Sequence, residues 1–150
     1  MGKLQYQDFK ITPATTVTEG AVAMTAINGV VLDMAGYDGV LVIVPVGTIV
    51  TTGLQSFKMQ QDTALAFTTD PQDLLGTKVT IAEGEADTTF YLDVFKPLER
   101  FVRVVVTRGT ANSTFGGITY IQYGAGAKPV THAATVTGGE AHVSPAEGTA

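Results

Sequence analysis

The sequence predicts an all-β fold: a two-sheet antiparallel sandwich or jelly roll carrying an extended C-terminal arm. Three observations predict it. Short runs rich in Val, Ile, Thr, Phe and Tyr recur between Gly, Asp, Asn and Pro, the texture of strands and turns. No stretch keeps a helical apolar period for longer than a turn. The last 27 residues, Gly124 to Ala150, contain no Ile, Leu, Met, Phe or Trp. The chain of 150 residues therefore divides into a body, residues 1–123, able to bury a core, and an arm, residues 124–150, that cannot build one. Such an arm either stays mobile or is ordered by lying on something else, usually a neighbouring subunit.

The elements follow in order. Tyr6 to Ile11 is a first strand, stopped by Pro13. Ala21 to Ile27 and Val30 to Met34 flank Asn28-Gly29, a pair that tolerates positive φ, so Ala21 to Met34 reads as a hairpin. Val40 to Val46 is an almost unbroken apolar run and reads as a strand buried on both faces, with Pro45 marking an edge or a bulge. Leu54 to Gln61 puts Gln55, Phe57, Met59 and Gln61 on one face and Ser56, Lys58 and Gln60 on the other. Asp70 to Gly76 has the cap, proline and terminal glycine of a single helical turn. Lys78 to Ala82 is a short strand, and Glu83 to Asp87 an acidic turn. Thr88 to Phe95 alternates, with Phe90, Leu92 and Val94 opposite Thr89, Tyr91, Asp93 and Phe95. Arg100 to Arg108 alternates too, and places an arginine within reach of Asp93 on a neighbouring strand. Gly117 to Tyr123 is the last strand.

Composition excludes several chemistries. Charged residues are 15% of the chain, well below the ~25% of ordinary soluble domains, which suggests a surface partly covered by partners. Net charge is −5 with no basic cluster, which argues against nucleic-acid binding. The apolar run at Val40–Val46 is far short of the ~18 residues a membrane span needs. The N-terminus lacks the apolar stretch of a signal peptide, so a protein made in the cytoplasm is expected. There are no cysteines, hence no disulfide and no thiolate chemistry. Both histidines, His132 and His142, lie in the arm, which offers no rigid shell to hold a catalytic base, and their spacing fits no common metal pair. Glu83, Glu85 and Asp87 begin like a calcium loop, but Thr88 stands where its glycine belongs and Val94 where its bidentate glutamate belongs. A non-enzyme without cofactor or metal is expected.

Certain stretches resemble a known family. They are Asp33-Met34-Ala35-Gly36-Tyr37-Asp38-Gly39-Val40, then Arg100-Phe101-Val102-Arg103-Val104-Val105-Val106-Thr107-Arg108, then Ile121-Gln122-Tyr123-Gly124-Ala125 through Lys128-Pro129-Val130-Thr131, and the closing Glu140 to Ala150. They are similar to capsid decoration, or cement, proteins of tailed bacteriophages and prophages, most strongly from Arg100 onward. The resemblance implies a virion protein on the capsid surface, bound to the major capsid protein and itself a homo-oligomer, dimer or trimer. In that group Gly-Ala-Arg-Lys-Lys-Pro precedes the tail; Gly124-Ala125-Gly126-Ala127-Lys128-Pro129 keeps little of that charge, so any anchoring here differs. An extended arm can add a strand to a neighbour's sheet edge, and Thr131 to Val136 suits that use best. Lys128, Thr131, His132, Val136 and His142 are accordingly the candidate partner contacts. The alternatives are another virion part, such as a head fibre base, neck or tail protein, or a carbohydrate-binding sandwich built on tyrosines.

Overall fold

The computed structural model describes residues 7–15, 25–109, 112–142 and 147–148. Within them the fold is two antiparallel sheets packed face to face, with no α-helix. The eleven strands are β1 (Lys10–Pro13), β2 (Ile27–Asn28), β3 (Leu32–Asp33), β4 (Gly39–Ile49), β5 (Gln55–Asp62), β6 (Gln72–Asp73), β7 (Val79–Ile81), β8 (Thr89–Phe95), β9 (Phe101–Arg108), β10 (Ser113–Phe115) and β11 (Thr119–Tyr123).

In sheet I, β4 is central. It pairs with β8 along one edge, with β10 and β11 along the other, and β1 pairs with β11. In sheet II, β5 and β9 are central; β6 and β7 pair with β5, while β2 and β3 pair with β9. A long two-stranded ribbon joins the sheets: β4 with β11 and β10 runs into β5 with β9. The bend is carried by Val50 N–H donating to the Asn112 carbonyl (3.1 Å) and Gly109 N–H donating to the Leu54 carbonyl (2.7 Å). A ribbon folded over in this way is the construction of a jelly roll.

The core lies between the sheets. Alternation puts Val40, Val42, Val44 and Val46 of β4 inward against Phe57 and Met59 of β5 and Val102, Val104 and Val106 of β9. The expected faces of β5, β8 and β9 are the observed ones. Pro45 sits where the pairing of β4 passes from β11, which ends opposite Ile43, to β10, which begins opposite Val46, so its missing N–H falls at a break in the ladder.

Several expectations are corrected. The two strands around Asn28-Gly29 do not pair with each other; β2 and β3 both lie along β9, and the upstream half of the expected hairpin falls outside the described residues. Gly29 serves close approach instead of a turn: a Cβ there would stand 2.5 Å from the Tyr120 hydroxyl and 2.7 Å from Val104. That hydroxyl fills the gap between β2 and β3. It accepts the Val104 N–H (2.8 Å) and donates to the Val30 carbonyl (3.2 Å), tying β11 of sheet I to sheet II. The expected helical turn at Asp70–Gly76 is also absent. Gln72–Asp73 instead extends the edge of β5, held by Lys58 (2.5 Å) and Gln60 (2.9 Å) donating to Asp73, and Gly76 adopts a φ of 82° in the turn that follows. An open strand edge with two side-chain donors outcompetes one isolated turn of helix. The first strand begins at Lys10 and includes Pro13, which an edge strand tolerates.

Candidate interaction face

The outward faces of the two sheets differ in kind. On sheet II, charges close on each other. Arg100 donates to Asp33 from Nε (2.8 Å) and Nη2 (2.7 Å), Arg103 donates to Gln60 with its guanidinium 4.3 Å from the Phe67 ring centre, and Lys58 meets Asp73. The Arg100 hydrogen bonds hold the Asp33 carboxyl down at about 2, so the contribution of this pair is complete above the ordinary carboxylate range and is lost as pH falls through about 2.

Sheet I turns apolar groups outward. Register lines up Ile11, Ile121 and Leu41 with Asp93, and beside them Pro13, Thr119 and Ile43 with Tyr91. Tyr91 is 73% exposed and Phe95 61%. Tyr123 lies across Gly39, where a Cβ would come within 2.4 Å of its ring, and its hydroxyl donates to Asp93 (2.7 Å). Desolvation first, then the Asp93 carboxylate, pushes the Tyr123 phenol up to about 12, so it stays a donor at all ordinary pH. Asp93 thus meets a tyrosine and not the arginine expected across strands; Arg100 and Arg103 belong to sheet II and are engaged there. The reading of Val40–Val46 as buried on both faces is corrected as well. Its even residues are core, whereas Leu41, Ile43 and Pro45 are half-buried on a face that no second layer of the described residues covers.

Residues 124–142 form no strand, and the arm touches the body's own β1 edge at His132 and Ala133. Val130 N–H donates to the Gln7 carbonyl (3.2 Å), Ala133 N–H to the Ile11 carbonyl (3.2 Å), and Gly126 N–H to the Gly36 carbonyl (3.0 Å). His132 Nδ1 accepts the Ile11 N–H (3.1 Å), and its ring packs 6.2 Å from that of Phe9. Lys128 pairs with Asp8 (2.8 Å). Of the candidate contacts, His132 and Val136 share a groove with Phe9 and Ile11. Thr131 is exposed, and His142 is exposed and paired with Glu140 (2.9 Å). Tyr91 and Phe95 were not among the candidates, although the alternation of Thr88–Phe95 already put both on the side with Asp93. His132→Ala is expected to remove about 1 kcal/mol of local protection, read as faster hydrogen exchange at the Ile11 and Ala133 amides with an unchanged global melt. Unchanged exchange at both amides would show that the ring does not clasp the arm.

Among the described residues, no group of three His, Asp or Glu side chains could hold a metal ion, and no helix is long and apolar enough to cross a membrane. Fold and faces together define an all-β sandwich with one self-satisfied face and one apolar face. The solved structure of PBSX exported protein XepA is similar in fold: TM-score 0.53 at 14% identity, over 96% of this chain and 46% of that one. The chain thus spans about half the length of that neighbour. No protein-family model matches the chain, and no curated protein matches it.

Proposed function

We propose that this chain is a non-enzymatic structural protein of a tailed-phage or prophage particle, which binds the outer capsid surface and stabilises the shell. The observation that carries the reading is the outward face of sheet I. A strand that reads from sequence as covered on both sides has one side only half-buried, which no second layer of the described residues covers, and that side carries apolar residues on four strands. Burying such a face is favourable by roughly 25 cal/mol per Å² of apolar area, and a shell lattice offers the same contact many times over. The fold of the prophage-related XepA supports a phage association, and the resemblance of the sequence to decoration proteins supports the capsid surface in particular. The major capsid protein is the partner this reading requires. No cofactor is needed, because holding a shell together involves no bond making.

Sedimentation of the purified protein with expanded, undecorated shells tests this. The protein is expected to pellet with the shells at saturable stoichiometry and to raise their melting temperature. Protein left in the supernatant, or found only in a few copies at the neck or tail of native particles, would overturn the capsid-surface reading in favour of another virion part.

A further inference from the structure

We propose that two copies of this chain pair antiparallel through the free edges of β8, about a two-fold axis at Leu92, so that their first sheets become one continuous sheet. β8 pairs with β4 along one edge, and among the described residues no strand lies along the other. Val46 N–H donates to the Thr88 carbonyl (2.8 Å) and Lys96 N–H to the Asp38 carbonyl (2.7 Å), so the even-numbered residues of this stretch turn their backbone groups toward β4. Alternation then aims the N–H and C=O of Thr89, Tyr91, Asp93 and Phe95 at the free edge. The usual protections of an edge are missing: β8 has no proline, and its register with β4 is unbroken from Phe95 to Thr89. Its one charge, Asp93, is tied down by Tyr123.

The charges at the two ends of the strand select a second copy as occupant. β8 leaves an acidic turn of Glu83, Glu85 and Asp87 and ends at Lys96. The Lys96 ammonium lies 5.3 Å from the Phe95 ring centre, and no carboxylate among the described residues forms an ion pair with it. Antiparallel pairing brings each lysine to the acidic end of the other copy, twice, whereas parallel pairing would set acid against acid. The register follows as well. Outward-facing amides must meet outward-facing amides, and full overlap places Leu92 opposite itself and Tyr91 opposite Asp93 of the partner subunit. A shift that centred the axis on Asp93 would set two carboxylates face to face. Pairing in this register makes the apolar outward faces of the two sheets contiguous. The inference stands independently of the capsid reading.

Introduced thiols report the register directly, because the chain has no cysteine of its own. Tyr91→Cys and Asp93→Cys proteins, mixed, allowed to exchange and oxidised, are expected to give a disulfide-linked dimer several-fold more abundant than either variant gives alone. Light scattering of the unmodified protein is expected to read twice the chain mass, and Tyr91→Pro, which removes an N–H only from the free edge, is expected to read one. A monomeric unmodified protein overturns the proposal. So does an oligomer whose mixed thiols stay unlinked, or one that Asp93→Cys links by itself as efficiently as the mixture.

Discussion

Tyr120→Phe is expected to destabilise the fold by about 2–4 kcal/mol, one of the largest costs any single-atom deletion in this chain can carry. Tyr120 is fully buried on β11, and its hydroxyl stands between two backbone groups of the opposite sheet. Burial raises its phenol far above the ordinary value, so the group remains a donor at every pH where the fold survives. Without the oxygen, the Val104 N–H and the Val30 carbonyl lose their partner, each at a cost of about 1–3 kcal/mol where water cannot replace it. The check is a denaturant titration: the midpoint should fall while the slope stays constant. Gly29→Ala strikes the same contact from the other side, since its Cβ would displace the hydroxyl. The two changes should therefore be less than additive in a double-mutant cycle. A cost for Tyr120→Phe below about 0.5 kcal/mol, in the range of ordinary surface changes, would mean that the hydroxyl does not bridge the sheets.

Ile43→Glu is expected to weaken shell binding about 100-fold or more while shifting stability by no more than about 1 kcal/mol. Ile43 stands midway across the outward face of sheet I, beside Tyr91 on one strand and Thr119 on the other. In the free protein a carboxylate there reaches water and costs little. Against a partner it would be buried without a counter-charge, which costs several kcal/mol, and each 1.4 kcal/mol is a tenfold loss of affinity. Val42→Glu is the control for direction, because Val42 faces the core and its charge should unfold the protein. Co-sedimentation with shells and a thermal melt of each variant separate the two faces. Undiminished binding by a folded Ile43→Glu protein would move the interface off sheet I.

The alternating strands were legible in the sequence because alternation reports directly which side of a strand is wet. Phe57 and Met59 on β5 and Phe90, Leu92 and Val94 on β8 stand where period two puts them. The outward face of β4 was not legible. Seven apolar residues in a row look alike whether the second cover comes from the same chain or from another molecule. Local signals misled at Asp70–Gly76, where cap and proline chemistry described a helical turn but the unfilled edge of β5, a long-range feature, decided the structure. Asn28-Gly29 misled for a similar reason, since the glycine answers to a tyrosine 91 positions away. The arm shows what composition misses. Its lack of large apolar side chains predicted that it would need a companion, yet His132 and Ala133 hold it to β1, and Val130 holds it to Gln7, through hydrogen bonds that demand no apolar bulk. The free edge of β8 had no sequence signal either, because only the topology leaves that strand outermost.

Cryo-electron microscopy of the native particle, with this protein located by antibody or tag, tests the proposed role most directly. The expected result is density for the sandwich at regular positions over the outer shell, with the outward face of sheet I against the major capsid protein. A map in which the shell carries no such density, or in which the sandwich touches it only through the charged face of sheet II, would contradict the assignment.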